Sequence, residues 1–481
     1  MPSLKEKEVQ YNSAKPWQLV AFAFNNSVSN VQYFMFLMFF IYYATDSLGL
    51  SAVIVGAIMT FSRIFDAITD PIIGLLVDKT NSRFGKFRPF IFVGTLIMDI
   101  CIIALFWGAD FQSTTSEYLW IGGWYALWVL GYTCVTITTK GAQTILTNNP
   151  KQRPLVGGID QVIMTGIDIL IFSFGMIVLE YFGGIGSIDS FRKFAFLVAG
   201  LSTLFAAISI AGIWEKDNVN YYGLNAVKDK KEEKVSFKDY WDITKSNKAL
   251  QMLILAASTN KIAIVMQASA TAYFFIIVMG DPALQAVINA PATLISIFGS
   301  FAAIAMAVRW GLKKSFVIGT VLSALSIVIL LIFRPFGSAT LPLTIVLMSF
   351  MRFSERITDT NIIPMIADIT DYEVWKNNRY APGIISTIFS GIDKLVSSFA
   401  GLLLGGILTG AGYTAGMEVT PKLYWSILFL YLGMPLIGHL FSLLGMKFYP
   451  INKEFYAKMI SDINKKKEVA AEPVLEAVLE V

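Results

Sequence analysis

Histidine is all but missing from this chain of 481 residues. There is one, His439, and there are two cysteines, Cys101 and Cys134. A single imidazole cannot build a metal centre of the usual ligand sets. Two cysteines set inside apolar runs read as free, small packing residues, not as a disulfide or zinc frame. Charge is scarce as well: Asp, Glu, Lys and Arg make up 15% of the residues, against about a quarter in ordinary soluble domains. No Walker loop, dinucleotide glycine fingerprint or nucleophile elbow occurs. Those absences exclude ATP hydrolysis by the chain, argue against an enzyme, and leave no bound cofactor to expect.

What is present is apolar surface, 55% of the residues, with 14% aromatic. Runs long enough to cross a bilayer, about 20 residues each, recur along the whole length. Twelve are expected, at 17–45, 49–78, 88–108, 118–147, 155–182, 192–214, 248–279, 283–308, 315–333, 341–367, 380–410 and 424–448. Runs this long fit helices and not barrel strands, so the expectation is an all-α integral membrane protein. Met1 to Lys15 is polar without a cleavable signal, so the first apolar run stays as a helix.

Basic residues alternate between loops. Lys79, Arg83, Lys86 and Arg88 follow the second run, Lys151 and Arg153 the fourth, and Arg309, Lys313 and Lys314 the eighth. Loops of the other parity carry Asp46, Asp110, Glu117 and Asp281, with Arg192, Lys193, Arg334 and Lys422 as exceptions. The positive-inside rule then puts both termini in the cytoplasm of a cell-membrane protein. The net charge of +4 reflects that topology and predicts no nucleic-acid partner.

A Lys- and Glu-rich stretch, 215–247, divides the runs six and six. The expected organisation is a six-helix half over 1–214, a cytoplasmic linker over 215–247, a second six-helix half over 248–450 and a cytoplasmic tail over 451–481. Such pseudo-symmetric halves place a substrate site near the bilayer midplane between them. A short likeness between Arg63 to Asp70 and Arg352 to Asp359 falls in inequivalent helices and is not the repeat.

Asp66 and Asp70 lie one helical turn apart inside the second run, after Arg63 and before Pro71. A carboxylate in hydrocarbon costs several kcal/mol unless compensated, so intramembrane acids usually line an ion or substrate path. Spacing i, i+4 puts both on one face. With Thr69 they can offer oxygen ligands to a small hard cation, or share a proton.

Asp66-Ala-Ile-Thr-Asp70-Pro71-Ile-Ile-Gly74, continued by Asp78-Lys79-Thr80, Arg83-Phe84-Gly85-Lys86 and Arg88-Pro89, resembles the glycoside-pentoside-hexuronide:cation symporters of the major facilitator superfamily, of which the melibiose carrier is a familiar member. Two further blocks agree: Ala367-Asp368-Ile-Thr-Asp371-Tyr372-Glu373 with Trp375, Lys376, Arg379, Gly383, Ser386 and Lys394, and the first-run ending Tyr42-Tyr43-Ala-Thr45-Asp46-Ser-Leu48-Gly49-Leu50. The resemblance implies that Asp66 and Asp70 are the site of a metal cation, Na⁺ or Li⁺, or of H⁺, and that Lys394 on the eleventh run interacts with it. An ammonium there would also offset the repulsion of two acids once the cation has left.

Departures from the family concentrate in the first half. Acids that help hold the sugar on the first and fourth runs align with Asn30 and Thr136. The arginine of the fifth run aligns with Gln161, and Lys140 stands where the fourth run often has an aromatic. Two lost acids and a gained cation suggest an anionic substrate such as a uronide, contacted by Lys140 or by Lys261 of the seventh run. The plainer reading pairs Lys140 with Asp160 or lets it snorkel. Asp160 and Asp168 could instead bind sugar hydroxyls, which favours a neutral glycoside.

The resulting expectation is a monomeric secondary transporter that couples a sugar, glycoside or hexuronide to a cation by alternating access. Two alternatives are a non-transporting sensor and a carrier of amphiphiles such as lysolipids on the same fold.

Overall fold

The structure is a computed structural model that describes residues 13–80, 82–107, 113–147, 152–217, 237–379, 381–414 and 417–465. Contacts divide the chain into two compact units, Met1–Lys230 with Thr414–Gly416, and Lys231–Tyr413 with Met417–Val481.

The first unit contains α1 (Pro16–Ala23), α2 (Asn25–Tyr42), α3 (Ala52–Lys79), α4 (Arg88–Trp107), α5 (Thr114–Leu146), α6 (Gln152–Asp168), α7 (Gly175–Tyr181) and α8 (Ile188–Ile213). The second contains α9 (Phe237–Ser246), α10 (Lys248–Tyr273), α11 (Leu284–Trp310), α12 (Leu312–Phe333), α13 (Leu341–Asn377), α14 (Pro382–Gly410), α15 (Pro421–Leu428), α16 (Met434–Phe448) and a last helix, α17, over 453–465. Prolines open α1, α14, α15 and α16, where a missing N–H costs nothing. Five-residue π turns prolong α2 (Tyr43–Ser47) and α10 (Phe274–Val278), follow α6 (Ile169–Ser173), and join α15 to α16 (Phe429–Gly433).

Among the described residues nine helices are long and apolar enough to span a membrane, and a tenth span counts if the 47° bend between Gly158–Ser173 and Gly175–Tyr181 lies within one. The other two expected spans have physical reasons for failing that test. The first begins with amides and hydroxyls, Asn25, Asn26, Ser27, Ser29, Asn30 and Gln32, in the opening turns of α2. The tenth is the 37-residue α13, whose middle carries Arg352, Glu355, Arg356 and Asp359.

In the first unit α5 packs on α3 and α4, and α8 runs along α1, α2 and α4. The α4–α5 crossing is backbone-close because a Cβ on Gly94 would meet the Gly131 carbonyl at 2.9 Å, and one on Gly131 would meet the Gly94 carbonyl at 2.7 Å. Buried polar ties then fix the neighbours. Gln32 donates to Asp99 (2.5 Å), Thr203 donates to the other Asp99 oxygen (2.6 Å), and Trp128 donates to Gln32 (2.7 Å). Asn25 joins α2 to Thr138 and Thr139 of α5 and accepts from Ser209 of α8.

In the second unit α13 packs on α11 and α12, and α10 on α14 and α16. His439 is buried between Ser323 (2.8 Å) and Asn260 (2.8 Å). The starts of α10 and α14 and the end of α13 share an apolar cluster with α9 and α17, including Ile243, Leu253, Tyr372, Ile385, Met459 and Ile463. Trp375 donates to Asp462, and Tyr456 to Asp371. Burial, then the charges of Asp368 and Asp371, push the Tyr456 phenol up to about 12, so it remains a donor at neutral pH. The described helices of this unit thus run past 450 to 465. The stretch expected as a linker begins with Glu215 paired to Lys15 (3.0 Å) and ends as α9; 218–236 and 466–481 lie outside the described residues.

Each unit also clamps one loop. Asp217, fully buried, accepts from the backbone N–H of Lys86 (2.8 Å), Phe87 (3.0 Å) and Arg88 (2.8 Å) at the start of α4, with the Arg88 guanidinium beside it (3.5 Å). Lys453 donates to the carbonyls of Val308 and Arg309, both at 3.0 Å, at the end of α11.

Candidate functional site

Asp66 is 1% exposed in the middle of α3. The helix continues through Pro71, so the acid sits on regular backbone. Thr133 of α5 donates to Asp66 Oδ1 at 2.8 Å, and Arg63 Nη1 lies 3.6 Å from Oδ2. Tyr33 of α2 and Tyr132 of α5 hold the Arg63 guanidinium by their ring faces, 4.5 and 5.5 Å from its carbon. Thr69 is buried and donates to the Asp66 carbonyl (3.1 Å), and Asp70 is half-buried one turn on.

The structure therefore brings together Asp66, Thr69 and Asp70 and adds two partners that the sequence reading missed. Arg63 was visible at i, i+3 from Asp66. Thr133 is one of many hydroxyls on α5, and only tertiary packing singles it out. The donor set is carboxylate and hydroxyl oxygen, which suits a small hard cation. Among the described residues no group of three or more His, Cys, Asp or Glu side chains could hold a metal ion. A pair of acids fits a monovalent ion or a proton better than a transition metal. Lys394 belongs to the second unit, half-buried on α14.

The substrate candidates separate. Asn30 donates to the carbonyl and the side chain of Asn26 (2.7 and 2.9 Å), and Asn26 donates to Asp160 (3.1 Å). The other oxygen of Asp160 is buried with no hydrogen-bond partner among the described residues. This chain of amides and an acid, in which Asn26 is the unforeseen member, is a polar surface between α2 and α6. Thr136 is satisfied by the carbonyls of Tyr132 and Thr133, and Gln161 is exposed. Lys140 lies on α5, but its side chain is outside the described residues. Lys261 is on α10 in the second unit. Trp128 is buried in an aromatic cluster with Tyr125, Phe36 and Phe40.

The family model of MFS/sugar transport proteins matches residues 21–453. The chain belongs to that family. The isoprimeverose transporter of Lactiplantibacillus pentosus is 25% identical over 97% of this chain and 95% of its own length. The glucuronide carrier protein homolog of Escherichia coli (strain K12) is 24% identical over 95% and 98%. Among solved structures, a bacterial homolog of the human lysosomal transporter Spinster superposes with a TM-score of 0.64 over 94% of this chain and 99% of that one, at 14% identity, a likeness of fold alone. The resemblance to glycoside-pentoside-hexuronide:cation symporters holds. As a major facilitator transporter the protein is a multi-pass membrane protein and not an enzyme.

Proposed function

We propose that this transporter couples the movement of a sugar or glycoside to a monovalent cation, Na⁺ or H⁺, bound at Asp66 and Asp70 with Thr69 and Thr133, and that both termini face the cytoplasm. The observation that carries the reading is Asp66: a carboxylate 1% exposed in an apolar helix, met by a hydroxyl at 2.8 Å and an arginine at 3.6 Å. Such a group is costly to keep for packing alone. Cation binding would neutralise the acids and raise affinity for sugar, and Arg63, 3.6 Å from Asp66, would supply compensating charge when the cation leaves. Coupling requires that the empty and fully loaded carriers change state readily while the half-loaded one does not.

The test is counterflow in proteoliposomes with isoprimeverose, other neutral glycosides and glucuronides, with and without Na⁺, on wild type and Asp66→Asn. The expected result is cation-stimulated exchange that the substitution abolishes. Exchange of no sugar under any cation would reject the reading.

A further inference from the structure

We propose that the second unit holds a phospholipid headgroup, one that carries both a phosphate and a primary ammonium, in a cavity of about 250 Å³ where α11, α12, α13 and α17 meet. Its polar lining is Lys313, Asp368, Tyr449, Asn452, Lys453 and Tyr456. Three membrane-spanning stretches fix its depth: Leu284–Trp310 ends, Leu312–Phe333 begins and Pro421–Phe448 ends beside it. The cavity therefore lies where hydrocarbon gives way to water, the level of lipid headgroups, and the exposed ring of Trp310 suits that level. From there toward the middle of the membrane, Phe301, Ile304 and Val308 of α11 and Ile363 of α13 are exposed, on two helices that pack on each other. Acyl chains hanging from a head in the cavity would lie along these faces.

The lining offers an anion site. Lys313 donates to the Tyr449 carbonyl at 2.6 Å, and Lys453 to the carbonyls of Val308 and Arg309. An ammonium has three N–H donors, so each keeps one or more for a ligand, and carbonyl partners leave the positive charges uncancelled. Tyr449 is 2% exposed, and its hydroxyl is buried with no hydrogen-bond partner among the described residues. Burial, then the charge of Asp368, hold that phenol well above its usual range, so it stays a donor. A buried hydroxyl left unmatched is costly. Phosphate oxygens would take the hydroxyl and the ammonium donors together, as charge-assisted bonds.

Asp368 decides the rest of the headgroup. It is half-buried in the same lining. Asp371, three residues on and so on the same helix face, accepts from Tyr456 at 3.1 Å. Two neighbouring acids disfavour a head that is anionic throughout and call for a cation beside the phosphate. A primary ammonium brings three N–H donors to the Asp368 carboxylate, whereas the trimethylammonium of choline brings none. A soluble phosphate would leave Asp368 without a counter-charge and the exposed faces of α11 and α13 without a partner.

The experiment is native mass spectrometry of the full chain, released from detergent micelles that hold phosphatidylethanolamine, phosphatidylcholine and phosphatidylglycerol in equal amounts. It uses no sugar or ion gradient, so its outcome is independent of the symport reading. Wild type is expected to retain phosphatidylethanolamine about tenfold over each of the others. Asp368→Asn is expected to remove the advantage over phosphatidylcholine. Tyr449→Phe, which keeps the ring, is expected to lower retention of both lipids about fivefold without changing their order. Glycerophosphoethanolamine, the same head without chains, is expected to leave the lipid in place at equal concentration; displacement would make the ligand a soluble phosphate ester and overturn the lipid assignment. Equal retention of the three lipids by wild type, a preference for phosphatidylglycerol, or wild-type selectivity in Asp368→Asn would overturn the inference.

Discussion

The two units solve one problem with opposite signs. In each, a charged residue just beyond the last long helix reaches back to a loop: Asp217, four residues after α8, and Lys453, five after α16. Asp217 meets the start of α4, where N–H groups and the helix dipole call for an anion, and Lys453 meets the end of α11, where bare carbonyls call for a cation. A glycine makes room in both cases. A Cβ on Gly85 would strike Asp217, and one on Gly311 would come within 2.9 Å of the Lys453 Cβ. Burial separates them: Asp217 is fully buried and Lys453 exposed. The sign is thus set by which helix end needs satisfying, and the strength by access to water.

Breaking the stronger clamp is expected to cost most. Asp217→Ala removes the acceptor of three N–H groups and the counter-charge of Arg88, and should destabilise the first unit by about 3 kcal/mol, read as a lowered Tm in detergent. Gly85→Ala at φ 98° adds backbone strain and a collision, about 2 kcal/mol. If it left Tm unchanged, the close approach of Asp217 would be wrong. Thr133→Val removes a hydroxyl from Asp66 and is expected to weaken cation affinity about tenfold, about 1.4 kcal/mol, in Na⁺ titration of transport, with the half-saturating sugar concentration in saturating Na⁺ little changed. Lys453→Ala should cost under about 1 kcal/mol because water replaces the ammonium at exposed carbonyls. A loss equal to that of Asp217→Ala would erase the contrast.

Asp66 and Asp70 were legible because a carboxylate in an apolar run stands out from composition alone. Thr133 and Asn26 were not, since hydroxyls and amides are common in membrane helices and gain meaning only from the partner packing brings. Asp217 sat in a stretch whose composition reads as linker, so the residue that holds the basic loop Lys86 to Arg88 looked like part of a tether. The spans were counted from apolar length, which succeeded for most helices. It blurred where α1 breaks into α2 at Phe24 and where charge fills the middle of α13.

The π turn that joins α15 to α16 carries one more consequence. It accommodates a surplus residue by widening, so the side chains of α16 keep the angular phase of an uninterrupted α-helix. The Phe274 ring stacks on Tyr431 of this turn at 3.9 Å. Removing one residue from within Phe429–Gly433 should therefore shorten the chain without turning α16. The same deletion within α15 would rotate every later side chain by about 100°. Length and facing are uncoupled at this turn, and there the sequence can drift by one residue without losing its interfaces.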